Sequence, residues 1–294
     1  MMTIGALLGA VEMGMIYAIL ALGVFLSFRT LNMPDLTVDG SIVTGAAISA
    51  TICSLGGSPV LGIFMGFVGG VLAGVLTAVL NTKLKIQPLL AGILVMLGLY
   101  SINLRIMGSK SNVPLTNSDT IYKSAAKFLP EDYSALIVSG TILVVITLLF
   151  YGFLKTRVGF ALRATGDNED MVRAAGISSD LMKIIGMGLS NGFVGLAGGM
   201  LAQYQSFADA LMGTGMVVIG LASVIVGEVI FGTKTLPRRL IAVGLGAILY
   251  RVIIAFALNL GMPANDLKLV SAVIVTAALS IGLLPKKKGG VKHA

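Results

Sequence analysis

The chain has 294 residues, of which 56% are hydrophobic and only 12% charged, with a net charge of +8 and a mean hydropathy of +0.97. Soluble domains carry roughly 25% charged residues, so a soluble globular protein is excluded, and the composition predicts an all-α, polytopic bundle of transmembrane helices. One cysteine (Cys53) and one histidine (His293) exclude an internal disulfide and leave no ligand set for zinc or haem, and no soluble element carries the basic, aromatic-interleaved face that binds nucleic acid.

Apolar runs of about 20 residues are long enough to cross a ~30 Å hydrocarbon core. The first run, 4–28, has no Lys or Arg before it and reads as a retained span rather than a leader. Glu12 lies inside it, roughly 12 Å from the outer end. The second, 36–54, is polar at its start, so it is either a full crossing or re-entrant. Asp35 and Asp39 flank that start, where a carboxylate either caps the helix or lines a route through the membrane. The third, 59–80, repeats Gly62, Gly66, Gly70 and Gly74 along one face, a pattern that permits close helix packing in lipid.

The fourth run, 88–107, is followed by a long outer loop, 108–133, which is either a partner contact or a solvated cap. After the fifth, 134–154, comes a polar connection, 155–181. Within it, Asp167 reads as an N-cap, Glu169 and Asp170 suit the positive end of a helix dipole, and Gly176 suits a C-terminal stop. Met171, Val172, Ala174 and Ala175 give this short helix a small apolar surface, which either packs on the protein's own inner face or docks into a partner.

The sixth run, 182–205, carries Gly188, Gly192, Gly195 and Gly199, and the seventh, 213–232, carries Glu228 about 6 Å from its inner end. Gly227-Glu228-Val229-Ile230-Phe231-Gly232-Thr233-Lys234-Thr235 only approximates a phosphate-binding loop: it has one residue too many before the Lys and closes a span. The eighth, 238–259, holds Arg251 roughly 12 Å from its outer end, matching the depth of Glu12. Those two residues either pair or face a central pathway. The ninth, 266–284, precedes a basic tail, 285–294, and completes a single transmembrane domain over 1–284.

About nine spans with the N-terminus outside put Arg29, Lys83, Lys85, Lys155, Arg157, Arg163, Arg173, Lys183, Lys234, Arg238, Arg239 and the Lys-rich tail on the cytoplasmic side. The positive-inside rule favours that orientation, with the C-terminus cytoplasmic.

The Gly166-Asp167-Asn168-Glu169…Ala174-Ala175-Gly176-Ile177 segment resembles the ATPase-coupling loop of ABC importer permeases of the branched-chain amino acid and ribose type. Gly195-Leu196-Ala197-Gly198-Gly199 resembles the span that follows that loop. Phe28-Arg29-Thr30-Leu31-Asn32, Asp35-Leu36-Thr37-Val38-Asp39-Gly40-Ser41 and Ser101-Ile102-Asn103-Leu104-Arg105-Ile106-Met107-Gly108 are similar to permeases of tryptophan/tyrosine-type uptake systems.

The resemblance implies a homodimeric, non-enzymatic subunit of a bacterial cell membrane, embedded in lipid. Two cytoplasmic ATPase subunits would bind ATP and Mg, so this chain needs no cofactor of its own, and an extracytoplasmic binding protein would deliver the cargo. Coupling would fall to Asp167, Asn168, Glu169, Ala174, Ala175, Gly176 and Ile177, and a pathway to Glu12, Asp35, Asp39 and Arg251. The alternative is an ion-gradient-driven secondary transporter, which predicts repeats with interrupted helices. No such repeat is evident in the sequence.

Overall fold

The computed structural model describes residues 4–130 and 133–262, together with positions 269, 272, 273 and 276. Helix α1 (Ile4–Val24) runs on into a π-helical turn, Phe25–Thr30, and is followed by α2 (Thr37–Ser54), α3 (Pro59–Thr82) and α4 (Pro88–Ile106). A short strand β1 (Asn112–Pro114) and helix α5 (Ile121–Ala126) precede α6 (Ser134–Lys155), α7 (Arg157–Asp167) and α8 (Glu169–Ala174). Then come α9 (Ser179–Gln205), β2 (Phe207–Asp209), α10 (Met216–Phe231) and α11 (Leu236–Asn259). Pro59, Pro88 and Pro237 each sit in the first turn of a helix, where a missing N–H costs nothing.

Six helices among the described residues are long and apolar enough to cross a membrane: Ile4–Thr30, α3, α4, α6, α9 and α11. Apart from positions 269, 272, 273 and 276, the ninth expected span, 266–284, and the tail lie outside the described residues. The remaining two expected spans correspond to α2 and α10, and neither is such a helix by itself.

The reason lies in where they begin. Ser41 Oγ donates to Asn191 Oδ1, and Ser49 Oγ to the Gly199 carbonyl, so α2 runs parallel to α9. Asn191 is about 18 Å along α9 from Ser179, which sets the first turn of α2 deep inside the bundle. Gly220, near the start of α10, packs on Leu20 and Val24, and Gly23 packs on Ser190 of α9, so α10 also begins at that depth.

These two helices reveal an internal repeat. Ile4–Thr30 and α9 each have 27 residues and run antiparallel. Each leads through a crossing segment (31–36 or 206–215) into a shorter helix that starts in the interior, then into a 24-residue helix. α9 packs on α2 and α3, as α1 packs on α10 and α11. Contrary to the expectation from the sequence, an inverted repeat is present. It is carried by helix lengths and break points.

The core is packed backbone to backbone. A methyl group built on Gly45 would overlap the Gly195 carbonyl, one on Gly70 the Asn191 carbonyl, and one on Gly74 the Met187 carbonyl. The glycine stripe of α3 therefore faces α2 and α9, the use that small residues have where lipid supplies little hydrophobic drive. The opposite faces display Phe64, Leu72, Leu94, Val144, Leu148 and Leu149 outward, as lipid-facing surfaces do. At one end, β1 pairs antiparallel with β2, and the Gln203 side chain accepts the Ile121 N–H at 2.8 Å. Residues 112–121 are thereby folded onto the end of α9. The opposite end of the bundle carries α7 and α8.

Candidate translocation and coupling sites

Asp35 is fully buried in the crossing segment before α2. Its Oδ1 accepts the Thr37 N–H at 2.8 Å and its Oδ2 accepts from Asn191 Nδ2 at 2.7 Å. Asn191 Oδ1 in turn accepts from Ser41, and Thr37 Oγ1 lies 2.7 Å from Thr77 Oγ1. One carboxylate thus joins α2, α3 and α9 through buried hydrogen bonds. Its role is to hold the interrupted helix in place, because an unsatisfied backbone group at this depth costs several kcal/mol, about 2–7 by transfer.

Asp39 does not cap its own helix, one of the two readings open for it. Its two oxygens accept the Gly215 and Val217 N–H groups, both at 2.8 Å, and so cap the start of α10. The two interior helix starts are consequently tied to each other. Beside them is a cavity of about 220 Å³, lined by Asp39, Val43, Met96, Leu97, Tyr100, Asn103, Leu211 and Thr214.

Glu12 and Arg251 do not form an ion pair. Glu12 accepts from the Tyr204 hydroxyl at 2.9 Å, whereas Arg251 lies over the Tyr17 ring at 5.1 Å and donates to the Met13 sulfur. Equal depth was satisfied, but successive residues of a helix point about 100° apart, and Glu12 faces α9 while Met13 and Tyr17 meet α11. The ion pairs of Glu228 were missed. It is buried between Arg29 (2.6 Å) and Arg239 (3.2 Å), joining the ends of α1, α10 and α11. Depth could have found it, since Arg29 and Glu228 both lie near the same end. Gly227 packs on the Ala242 carbonyl, so the phosphate-loop-like stretch is a helix contact.

In the polar connection, Asn168 rather than Asp167 is the N-cap of α8, its side chain accepting the Met171 N–H at 3.0 Å. Asp167 instead ends α7, which continues through Gly166 packed against the Thr30 carbonyl, so the cap of α8 falls one residue later than expected. Gly176 stops α8 with φ +79°, and the Ile177 N–H reaches back to the Val172 carbonyl. Glu169 accepts from Lys183 (2.7 Å), Arg173 (2.6 Å) and Ser179 (3.1 Å), fastening α8 to the first turn of α9. Burial opposes ionisation of this carboxyl, but hydrogen bonding and the charges of Lys183 and Arg173 prevail and hold it below its ordinary range.

Val172 points inward and is buried, while Met171, Ala174, Ala175 and Ile177 are exposed. The clamp therefore leaves an apolar edge turned away from the chain. On one side of it a cavity of about 410 Å³ is lined by Arg29, Arg163, Lys234, Arg239 and Asp167. On the other, Lys85, Glu169, Arg173, Asp180 and Lys183 line a cavity of about 350 Å³.

Residues 6–279 match the family described as branched-chain amino acid transport system / permease component. The tyrosine transport system permease protein of Clostridioides difficile (strain R20291) is 38% identical over 278 residues, covering 95% of this chain and 92% of that protein. A probable branched-chain amino acid transport permease protein of Methanocaldococcus jannaschii is 27% identical over 290 residues, covering 93% and 89%. The ribose import permease protein of Escherichia coli (strain K12) is 24% identical over 286 residues, covering 95% and 86%. No solved structure matches the chain.

Proposed function

Because the chain belongs to the branched-chain amino acid transport system permease family, a family of membrane transport subunits that are not themselves enzymes, we propose that it is the gate of an ATP-driven importer of an aromatic amino acid. It is a multi-pass protein of the bacterial inner membrane, and its family implies ATPase and substrate-binding partners. In this reading two copies form the gate, each with about nine spans, an outer N-terminus and a cytoplasmic C-terminus. The clustering of Arg29, Lys83, Lys85, Lys155, Arg163 and Lys234 at the α8 end supports that orientation. The cargo passes the joined starts of α2 and α10 near Asp35 and Asp39, and ATPase motion enters through α8. Glu12 and Arg251 bound the pathway toward its outer end.

The observation that carries the reading is the exposed edge Met171–Ala174–Ala175–Ile177, held out by the Glu169 clamp. Glu169→Ala and Gly176→Val are expected to reduce co-purification of the ATPase subunit and to lower ATP-dependent uptake on the order of tenfold, equivalent to ~1.4 kcal/mol. Gly176→Val acts by strain, since φ +79° disfavours a β-branched residue. Full association and uptake in both variants would defeat the docking assignment.

The clamp also has a pH signature. The folded-state pKa of Glu169 is depressed, so its contribution is complete above the ordinary carboxylate value of ~4.3 and is lost as pH falls through the lower folded value. ATPase association is expected to be insensitive to Glu169 titration from neutral pH down to about 5 and to weaken below about 4. A Glu169→Gln variant should lack that acid-dependent step; the same step in the variant would assign it to another group.

The interrupted inverted helices also suit an ion-coupled secondary transporter. Uptake that persists without ATP and stops when an ionophore collapses the ion gradient would favour that reading.

A further inference from the structure

Asn103 is 1% exposed, yet its Oδ1 has no hydrogen-bond partner. The amide orientation is set by Nδ2, which donates to the Gly40 carbonyl at 3.3 Å, so the oxygen is the group left over. A buried acceptor in this state is stabilised by whatever donor can reach it. Asn103 is one of the residues around the cavity between α2, α4 and the 210–214 segment, so a donor entering there approaches its amide.

The rest of the lining defines that donor. Among the described residues of the wall Asp39 is the one that is charged, and none of them is Lys, Arg or His. Each Asp39 oxygen accepts one backbone N–H and retains a lone pair. Val43, Met96, Leu97 and Leu211 supply apolar surface, and Tyr100 supplies a ring. Two acceptors with no fixed cation favour a protonated amine and disfavour a carboxylate, while the walls favour an apolar or aromatic body.

We propose that this cavity is a binding subsite for the primary-ammonium head of a small apolar or aromatic solute, with Asn103 Oδ1 and Asp39 as its acceptors. The proposal rests on the reading of the chain as a solute permease and assigns the head-group chemistry of its pathway.

The test uses the permease co-purified with its ATPase in lipid nanodiscs and measures binding of radiolabelled tyrosine, tyramine and 3-(4-hydroxyphenyl)propionate. Tyrosine and tyramine are expected to bind, and the propionate, which lacks the amine, to bind at least about tenfold more weakly. Asn103→Leu is expected to weaken tyramine binding at least about tenfold. Leu211→Trp provides a second arm: the residue lines the cavity and is exposed, so a larger side chain is tolerated and is expected to weaken tyramine binding by narrowing the space. Equal binding of tyramine and the propionate overturns the head-group assignment. Unchanged tyramine binding in both variants, or none in the unaltered protein, means that water alone occupies the cavity and overturns the site. ATPase association is scored in the same samples; its absence would overturn the underlying importer reading, separately from the subsite.

Discussion

Gly45→Leu is expected to remove nearly all correctly folded protein from the membrane. Gly45 lies where α2, α3 and α9 meet, and a Cβ there would overlap the Gly195 carbonyl, C and Cα together. Gly66 approaches the Gly45 and Gly195 carbonyls from the third helix, so no neighbouring side chain can rotate away. Overfilling an ordinary core costs about 1–3 kcal/mol because side chains adjust; here three backbones would have to separate, and the cost should exceed that range. Gly45→Ala is the graded version. Alanine already carries the clashing Cβ, so it should lower the melting temperature of the detergent-solubilised protein by roughly 10 °C or more, at ~2–4 °C per kcal/mol. Gly244→Leu serves as the control, since nothing lies within 4 Å of a Cβ built there. A monodisperse Gly45→Leu protein with a normal melting temperature would show that the three-helix contact is looser than described.

Asn191→Leu is expected to be the next most damaging change, by a different route. Leucine has similar bulk but removes the donor to Asp35 Oδ2 and the acceptor for Ser41 Oγ. Two buried polar groups would be stranded, at about 1–3 kcal/mol each, and more if the carboxyl is ionised. The loss would fall on the interrupted start of α2, so uptake should drop further than folded yield. Asn191→Asp places a second carboxyl beside Asp35 and should also impair transport, whereas Ser41→Ala removes one bond and should be mild. Uptake by Asn191→Leu within about twofold of the unaltered protein would mean that this network does not hold the gate.

Much of the scaffold was legible because lipid imposes simple rules. Hydropathy located the six long helices to within a few residues, since each must satisfy its own backbone across the hydrocarbon. Proline marked helix starts at Pro59, Pro88 and Pro237 for the same reason. Around α8, Gly176 and Glu169 were found as local signals, while the cap was misplaced by one residue because Gly166, a residue that usually breaks helices, continues α7 against Thr30. Reading depth from sequence was sound for Glu12 and Arg251, yet depth is one coordinate of three.

What the sequence by itself determined is the class of molecule, an all-α membrane permease, together with the stretch that forms its clamped, outward-facing helix. Those features depend on composition and on neighbours within one or two helical turns. Only the tertiary structure decided that α2 and α10 begin inside the bundle and that the two halves are inverted copies. It alone decided that Asp39 caps a helix 176 residues away and that Glu228 binds Arg29. Each of these is a contact between distant segments whose partners are fixed by which faces of antiparallel helices meet, and a linear pattern records the depth of a residue but not its bearing.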